Sequence, residues 1–219
     1  MYEDLTVFQK RHREKAAAML AESFHTNPLF VYLFPDEKKR RKVLGNVYKG
    51  TVEIVSSVSD VYVTSDKVEG IFAVRRTDKA SYSPALYKAI IKTGIRSILL
   101  IRDVPLIPFF KKAKKLSVVS QKMAIYKKQK PHLVIDMVAV DPACRGQKFM
   151  SRMIRAALKE ADSKKTYCVL ETETLENVRI YEHFGFQLSQ KIEVIEGQLT
   201  VYVLIYDPFD QTSHLLNIY

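Results

Sequence analysis

The sequence predicts an α/β fold in a single domain. Between residues 131 and 206, segments typical of strands alternate with segments typical of helices, in the order strand, loop, helix, strand, helix, hairpin. The chain has 219 residues, of which 47% are hydrophobic and 27% charged. A chain of that length and composition can bury one sizeable core without disulfides or metal.

The first third of the chain contains elements of both types. They are a short strand at 3–8, a helix at 11–24, an apolar link at 28–35, and a hairpin at 61–63 and 71–74. After the link, Asp36 suits the N-cap of a second helix, because its side chain can accept a hydrogen bond from a first-turn amide.

The pattern is sharper from residue 131 onwards. The predicted elements are a strand at 133–140, a helix ending near 161, a strand at 166–171, a helix at 177–184, and strands at 186–195 and 199–206. The first of these strands, LVIDMVAV, is almost continuously apolar, which is typical of a strand covered on both faces.

The positive charge of the chain is concentrated in one segment. Residues 77–130 contain 13 Lys or Arg against two acids, whereas the remainder of the chain is neutral. The periodicity of this segment predicts two helices, the second amphipathic and basic. Such asymmetry suggests an anionic partner, although a solubilising face on surface helices is the more common explanation of a run of charges.

Several classes of protein are disfavoured by the composition. The N-terminus lacks the apolar core of a secretory signal, and the longest uncharged run, 23–35, is too short to span a bilayer. The cysteines, Cys144 and Cys168, are too few for a disulfide scaffold, and neither they nor the five His residues have metal-ligand spacing. We therefore expect a cytoplasmic protein without a bound metal.

The loop DPACRGQK, between a predicted strand and a helix, has the chemistry of an anion site. Backbone N–H groups at a helix N-terminus lack partners and carry the positive end of the helix dipole. Arg145 and Lys148 add full charges beside them, and Gly146 permits a turn that a side chain would obstruct. The loop therefore suits a phosphate-bearing ligand.

This stretch, VAVDPACRGQKFMSRMI, resembles the acetyl-CoA-binding motif of the GNAT superfamily of N-acetyltransferases. That motif is commonly written R/Q-x-x-G-x-G/A, at the start of a helix after the fourth strand. Arg145 matches its first position, Gly146 and Gln147 are frequent fillers, Lys148 stands where the first Gly is usual, and Met150 stands at the Gly/Ala position.

A second stretch, LETETLENVRIYEHFGF, is similar to the family's N-x-x-x-Y pattern followed closely by G-F. Asn177 and Tyr181 are four residues apart and share one helix face. The order of this motif and the hairpin after it resembles the layout of puromycin N-acetyltransferases, as a kinship of layout and not of substrate. Both motifs stand in the family's order and spacing.

The resemblance implies a GNAT-like mixed, mostly antiparallel central sheet flanked by helices, which opens where the fourth and fifth strands splay. Residues 1–219 would form one such domain, with 77–130 as a helical insertion before the fourth strand. It also implies acetyl-CoA as the co-substrate. The implied CoA-binding residues are Val138, Ala139, Val140, Arg145, Gly146, Gln147, Lys148, Phe149, Met150, Ser151 and Asn177.

The implied reaction is transfer of an acetyl group from acetyl-CoA to a primary amine of a small molecule or protein, by direct attack. The resemblance assigns to Tyr181 the proton for the departing thiolate. An amine arrives protonated and needs a base, for which Asp136 and Glu171 are the candidates. For all three residues a structural role in packing or ion pairing remains an alternative.

The acceptor and partners are less determined by the sequence. The basic segment 77–130 suits an amine that carries phosphate or carboxylate groups, and it would form a wall of the acceptor pocket together with the link 28–35. The alternative function is a GNAT-shaped binding module, deficient in CoA binding through Lys148, that uses the basic segment on nucleic acid or an anionic membrane. Whether two copies form a homodimer stays open.

Overall fold

The computed structural model describes residues 2–78 and 132–210, together with Lys112 and Lys114. Within this part of the chain, the strands are β1 (Thr6–Val7), β2 (Asp60–Val63), β3 (Gly70–Arg76), β4 (His132–Val140), β5 (Tyr167–Thr172), β6 (Gln187–Ile195) and β7 (Leu199–Tyr206). The α-helices are α1 (Arg13–Phe24), α2 (Pro28–Leu33), α3 (Glu37–Val55), α4 (Phe149–Lys164) and α5 (Leu175–His183). Short 3-10 turns precede α1 and α4.

The strands form one mixed sheet in the order β1-β2-β3-β4-β5-β7-β6. Neighbouring strands run antiparallel except β4 and β5, which are parallel and are joined through α4. Parallel neighbours need a crossover connection, and α4 supplies it. The predicted mixed, mostly antiparallel sheet flanked by helices is confirmed.

One face of the sheet is covered by α1 and α3. Leu20 of α1 and Leu44 of α3 are fully buried against Val63 and Ile71 of the β2–β3 hairpin. Their three- and four-residue spacing along each helix puts the apolar side chains on one stripe, so the helices lie flat on the sheet. This layer forms the back of the site described below.

The opposite face is covered by α4 and α5. Met153, Ile154 and Ala157 of α4 are fully buried against the other side of β3, β4 and β5, together with Phe72 and Leu170. The strand β4 therefore lies between two apolar layers, which explains its nearly continuous apolar sequence. No helix among the residues that the structure describes is long and apolar enough to cross a membrane.

A bulge in β4 opens the sheet. The register between β3 and β4 shifts after Ala73, which pairs with Met137, while Val74 pairs with Ile135, so that Asp136 is the extra residue. The pairing of β4 with β5 runs from His132 to Ile135 and ends there. The remainder of β4 therefore parts from β5, as the family resemblance implies.

The segment 28–35 corrects the sequence analysis, because it contains the helix α2 and is not a plain link. Asn27 is the N-cap of this helix, its side chain accepting a hydrogen bond from the Leu29 amide at 2.9 Å, and Pro28 occupies the first turn. The buried Arg40 donates to the carbonyl oxygens of His25 and Phe34, which hold the chain on either side of α2.

Other predicted elements are found close to their expected positions. Asp36 is the N-cap of α3 and accepts from the Lys39 amide at 2.8 Å, as predicted. The hairpin of β2 and β3 and the pair β6 and β7 are also confirmed. The two helices expected within 77–130 lie outside the described residues, apart from Lys112 and Lys114.

A buried carboxylate joins α4 to β3 and to the N-terminal segment. Glu160 of α4 is fully buried and accepts hydrogen bonds from Arg76 of β3, at 2.5 and 2.6 Å, from Lys164 at 2.6 Å and from the Tyr2 hydroxyl at 2.8 Å. Burial alone would raise its pKa, but these donors outweigh burial and lower the pKa to about 2.

Replacing Glu160 with Gln is expected to destabilise the fold. The substitution leaves the Arg76 guanidinium without its buried counter-charge, and breaking such a pair costs about 3 kcal/mol. Because the folded carboxyl has a pKa near 2 against 4.5 as the reference value, its contribution is complete above pH 4.5 and is lost as the pH falls towards 2. Urea unfolding of both proteins should therefore show a difference that shrinks between pH 5 and pH 2.

The exposed Glu182 of α5 supplies the matched control, since Glu182→Gln removes a surface charge and should change the free energy of unfolding by less than about 0.5 kcal/mol. A Glu160→Gln protein as stable as the wild type at pH 7 would contradict the assignment of this carboxylate as a structural anchor.

Candidate active site

The parting of β4 and β5 opens two adjoining cavities. The first, here called the loop cavity, has a volume of about 610 Å³ and lies beside the loop before α4 and the first turn of that helix. The second, here called the strand cavity, has a volume of about 430 Å³ and lies between α2, α3 and the parted strands. Phe24, Asn27, Val138 and Asn177 line both, so the cavities meet at these residues.

The loop cavity ends at the N-terminus of α4. Among the described residues, no side chain caps the first turn of this helix, whose first intrahelical bond runs from the Arg152 amide to the Lys148 carbonyl at 3.1 Å. The amides of Phe149, Met150 and Ser151 precede that bond and lie at the cavity wall. Unpaired amides at the positive end of a helix dipole bind anions.

The loop before α4 is held in an unusual backbone conformation. Gly146 has a φ of 80° and Lys148 has a φ of 61° and a ψ of 12°, both in the left-handed region. Glycine adopts this region freely, whereas a lysine pays a steric cost. Lys148 therefore has a left-handed conformation at the position where the motif in the sequence analysis usually has glycine. Its side chain is exposed beside the uncapped amides.

The edge of β4 contributes backbone groups to both cavities. The Asp141 amide donates to the Glu69 carbonyl at 2.7 Å, on the side of β3. Because alternate residues of a strand direct their N–H and C=O groups to opposite edges, those of Val138 and Val140 point towards the opening. The Val140 carbonyl accordingly accepts a hydrogen bond from Ser23 of α1 at 3.3 Å. Ala139 is paired with Ile71 of β3.

Asn177 lies at the junction of the cavities and is oriented by β5. Its side-chain amide donates to the Thr172 hydroxyl at 2.9 Å, and its backbone amide donates to the Thr174 hydroxyl, which caps α5, at 3.3 Å. Asn177 is therefore held in place where the two cavities meet.

Two of the predicted catalytic carboxylates line the strand cavity. Asp136 receives a bidentate pair of hydrogen bonds from Arg75, at 2.7 and 2.8 Å, and a third from the Ser59 hydroxyl at 2.6 Å. The pKa of the Arg75 guanidinium is raised mainly by its hydrogen bond to Asp136. The negative charge of the nearby Glu171 raises it further. Both oxygens of Asp136 are therefore engaged in the structure.

The structure adds a carboxylate that the sequence analysis did not single out. Glu173, just beyond β5, lines the strand cavity and accepts a hydrogen bond from the Asn27 side chain at 2.9 Å. Its charge also reaches Tyr48 and Tyr181, whose pKa values are raised first by burial and then by Glu173. Its link to the site is a contact between residues far apart in the sequence, so the sequence offers no local signal for it.

Tyr181 lies in the core rather than at a cavity wall. Only 5% of its surface is exposed, and its ring packs edge-on against Phe186 with centroids 5.9 Å apart. Tyr48 of α3 is equally buried but lines the strand cavity. The predicted residues Asn177 and Tyr181 are thus one helical turn apart, the first at the junction and the second behind it.

The structure brings together most of the predicted cofactor-binding residues. All of them line the loop cavity except Gln147, and these lining residues are Val138, Ala139, Val140, Arg145, Gly146, Lys148, Phe149, Met150, Ser151 and Asn177. In the part of the chain that the structure describes, no group of three or more His, Cys, Asp or Glu side chains could hold a metal ion.

Sequence comparison finds one family model that matches part of the chain. A model of the acetyltransferase (GNAT) domain matches residues 117–188, which include β4, the loop, α4, β5 and α5. The similarity to this acetyltransferase domain therefore concerns the strands and helices that form both walls of the loop cavity. No curated protein matches the chain at significant sequence similarity.

Solved structures of acetyltransferases share the fold of this chain. The histone acetyltransferase HPA2 and related acetyltransferase from Corynebacterium glutamicum aligns with a TM-score of 0.60 and 15% identity, covering 97% of this chain and 99% of that one. The arylalkylamine N-acetyltransferase 2 from Aedes aegypti aligns with a TM-score of 0.56 and 12% identity, covering 93% and 98%. At these identities the likeness concerns the fold.

The left-handed conformation of Lys148, in the loop before α4, gives a prediction about stability. Lys148→Gly removes the steric cost of a positive φ, and this gain of about 1–2 kcal/mol exceeds the entropic cost of glycine, about 0.5–1 kcal/mol. We therefore expect the free energy of unfolding to rise by up to about 1 kcal/mol, as measured by urea denaturation.

The same replacement inside the helix should have the opposite sign. Lys159 is exposed in the middle of α4, where Lys159→Gly should lower the free energy of unfolding by about 1 kcal/mol. If both glycine variants lowered the free energy of unfolding by the same amount, Lys148 would not have the left-handed conformation in the loop before α4.

Proposed function

We propose that this protein transfers the acetyl group of acetyl-CoA to a primary amine by direct attack of the amine nitrogen, without an acyl-enzyme. The observation that carries the proposal is the meeting of two cavities at the parted strands, one beside an uncapped helix N-terminus and the other lined by carboxylates. A donor bound in the loop cavity and an acceptor bound in the strand cavity would have their reacting ends at the same junction.

The residues of the loop cavity suit a pyrophosphate joined to an extended chain. The amides of Phe149, Met150 and Ser151 would donate to phosphate oxygens, with the charges of Arg145 and Lys148 beside them. The backbone groups of Val138 and Val140 would pair with the amides of an extended arm as an added strand would. Acetyl-CoA has this chemistry, and bound here it supplies the acetyl group as a thioester.

The chain's own groups would handle the charge and the protons of the transfer. In the balanced step the amine, after losing one proton, forms the C–N bond while the C–S bond breaks, and the nitrogen loses a second proton as the sulfur gains one. The Val138 amide points into the junction, where it can stabilise the negative charge that develops on the carbonyl oxygen. This reaction requires no metal.

The proton acceptor is proposed among the carboxylates of the strand cavity. Asp136 has both oxygens bound by Arg75 and Ser59, and Glu171 lies near the same guanidinium, so both carboxylates remain candidates for the base. Both cysteines of the chain are free thiols in the structure, which supports a reducing compartment and hence the cytoplasm as the proposed location.

The donor half of the proposal is tested by calorimetric titration with acetyl-CoA. We expect a dissociation constant in the micromolar range, and a loss of about tenfold for Arg145→Ala, because a charge-assisted hydrogen bond contributes about 1.5–3 kcal/mol. Arg179→Ala, on the exposed face of α5, is the matched control and should bind as the wild type does. Absence of acetyl-CoA binding would overturn the enzyme proposal and favour a binding module that uses the basic segment.

A comparison of two tyrosines tests the proton donor. The assignment of Tyr181 as the donor rests on the family resemblance, since its side chain lies behind the cavities in the structure. A general acid contributes about 10²–10⁴-fold, so under this assignment Tyr181→Phe should lower kcat by at least about a hundredfold. Tyr48→Phe is the matched variant, since both hydroxyls are buried and lie near Glu173. The measurement is kcat of both variants across the pH range. A fall in kcat in Tyr48→Phe alone would identify Tyr48, and not Tyr181, as the proton donor.

A further inference from the structure

We infer that the acceptor is a small primary amine with an apolar body, an alkylamine or arylalkylamine, bound as a cation in the strand cavity with its ammonium group facing Glu173. The inference rests on the proposed function, because it names the substrate of the same site. It also departs from the expectation of an anionic acceptor that the basic segment raised.

The first argument is the charge of the strand cavity. Among its described lining residues, the carboxylates are Asp136, Glu171 and Glu173, against the single guanidinium of Arg75. Arg75 is bound by Asp136 through two hydrogen bonds, so the excess charge of the lining is negative. A negative lining attracts an ammonium ion and repels a phosphate or carboxylate. Lys112, from the basic segment, donates instead to the Tyr32 carbonyl of α2 at 2.8 Å.

The second argument is the position of Glu173. Its carboxylate accepts from the Asn27 side-chain amide at 2.9 Å, and Asn27 is fixed in turn by accepting from the Leu29 amide as the N-cap of α2. Asn27 belongs to the junction of the cavities, so Glu173 is held beside the point at which the amine nitrogen must arrive. One carboxylate oxygen is used by Asn27 and the other can accept from an ammonium group.

The third argument is the aromatic and aliphatic lining of the same cavity. The Tyr48 ring lies 5.6 Å from that of Phe24 and 5.7 Å from that of Phe30, measured between centroids. Aromatic rings near a carboxylate bind the charged head of an amine through cation–π attraction and its body through apolar contact. Further aliphatic residues from β4 and β5 complete the wall, namely Val134, Met137 and Val169.

The size of the strand cavity favours a small molecule. Its volume of about 430 Å³ is at the lower end of the range for ligand sites, roughly 300–1,000 Å³. A cavity of this size, with aromatic and aliphatic residues in its lining, fits a small amine with an apolar body.

The substrate class is tested with an amine panel at saturating acetyl-CoA, scored by thiol release. The probes are 2-phenylethylamine and hexylamine as apolar amines, O-phosphoethanolamine as an anionic amine, spermidine as a polycation, and a lysine-containing peptide. We expect kcat/KM for 2-phenylethylamine or hexylamine to exceed that of the other three probes by at least about tenfold.

The role of Glu173 is tested in the same assay. Glu173→Gln should raise KM for the preferred amine by about tenfold or more, since it removes a charge-assisted hydrogen bond, and should leave the dissociation constant of acetyl-CoA unchanged. Glu182→Gln, on the exposed side of α5, is the matched control and should leave both values unchanged. An unaltered KM in Glu173→Gln would overturn the assignment of this residue.

The remaining outcomes separate the inference from the proposed function. An equal or higher kcat/KM for O-phosphoethanolamine overturns the cationic acceptor, and the same result for spermidine or the peptide overturns the small apolar body. Acetyl-CoA binding without acetylation of either apolar amine also overturns the substrate class while leaving the acetyltransferase in place. Absence of acetyl-CoA binding overturns the proposed function, and the inference with it.

Discussion

The bulge at Asp136 is the constraint on which the site depends. One extra residue in β4 shifts its register against β3 and ends its pairing with β5 at Ile135 and Leu170. Without that residue the backbone groups of Val138 and Val140 would be used by a neighbouring strand, and the two cavities would not meet. The ion pair of Asp136 with Arg75 and its bond from Ser59 fasten the bulge to β3 and to the segment after α3. Asp136 thus has a structural task at the place where sequence reasoning proposed a base.

The buried carboxylate of Glu160 fixes the position of α4 on the other side of the sheet. Glu160 binds α4 to Arg76 of β3 and to Tyr2 of the N-terminal segment. Since α4 begins at the loop cavity, its placement against the sheet determines where its uncapped amides point. A helix that positions an anion site through its N-terminus needs such an anchor along its length, because apolar packing alone permits a helix to slide.

The sequence predicted those parts of the fold that depend on local pattern. Apolar periodicity located β4, α4, β5 and α5, and the two sequence motifs include Arg145 and Asn177, which line the loop cavity. The helix α2 was missed because its six residues, PLFVYL, are apolar on every side and so have no helical period. Glu173 was missed because its importance arises from a hydrogen bond to Asn27, which is 146 residues away in the chain. Such contacts are created by tertiary structure and leave no local pattern.

The charge of the chain illustrates why composition is a weak guide to a substrate. The excess of lysine and arginine in 77–130 favours an anionic partner for that segment, yet the described lining of the strand cavity has excess carboxylate. Electrostatic attraction at a distance depends on the summed charge, whereas binding in a cavity depends on groups within a few ångströms of the ligand. The two can therefore have opposite signs in one protein. In the proposed reaction the basic segment would attract the anionic donor, whereas Glu173 beside the aromatic wall would select the amine.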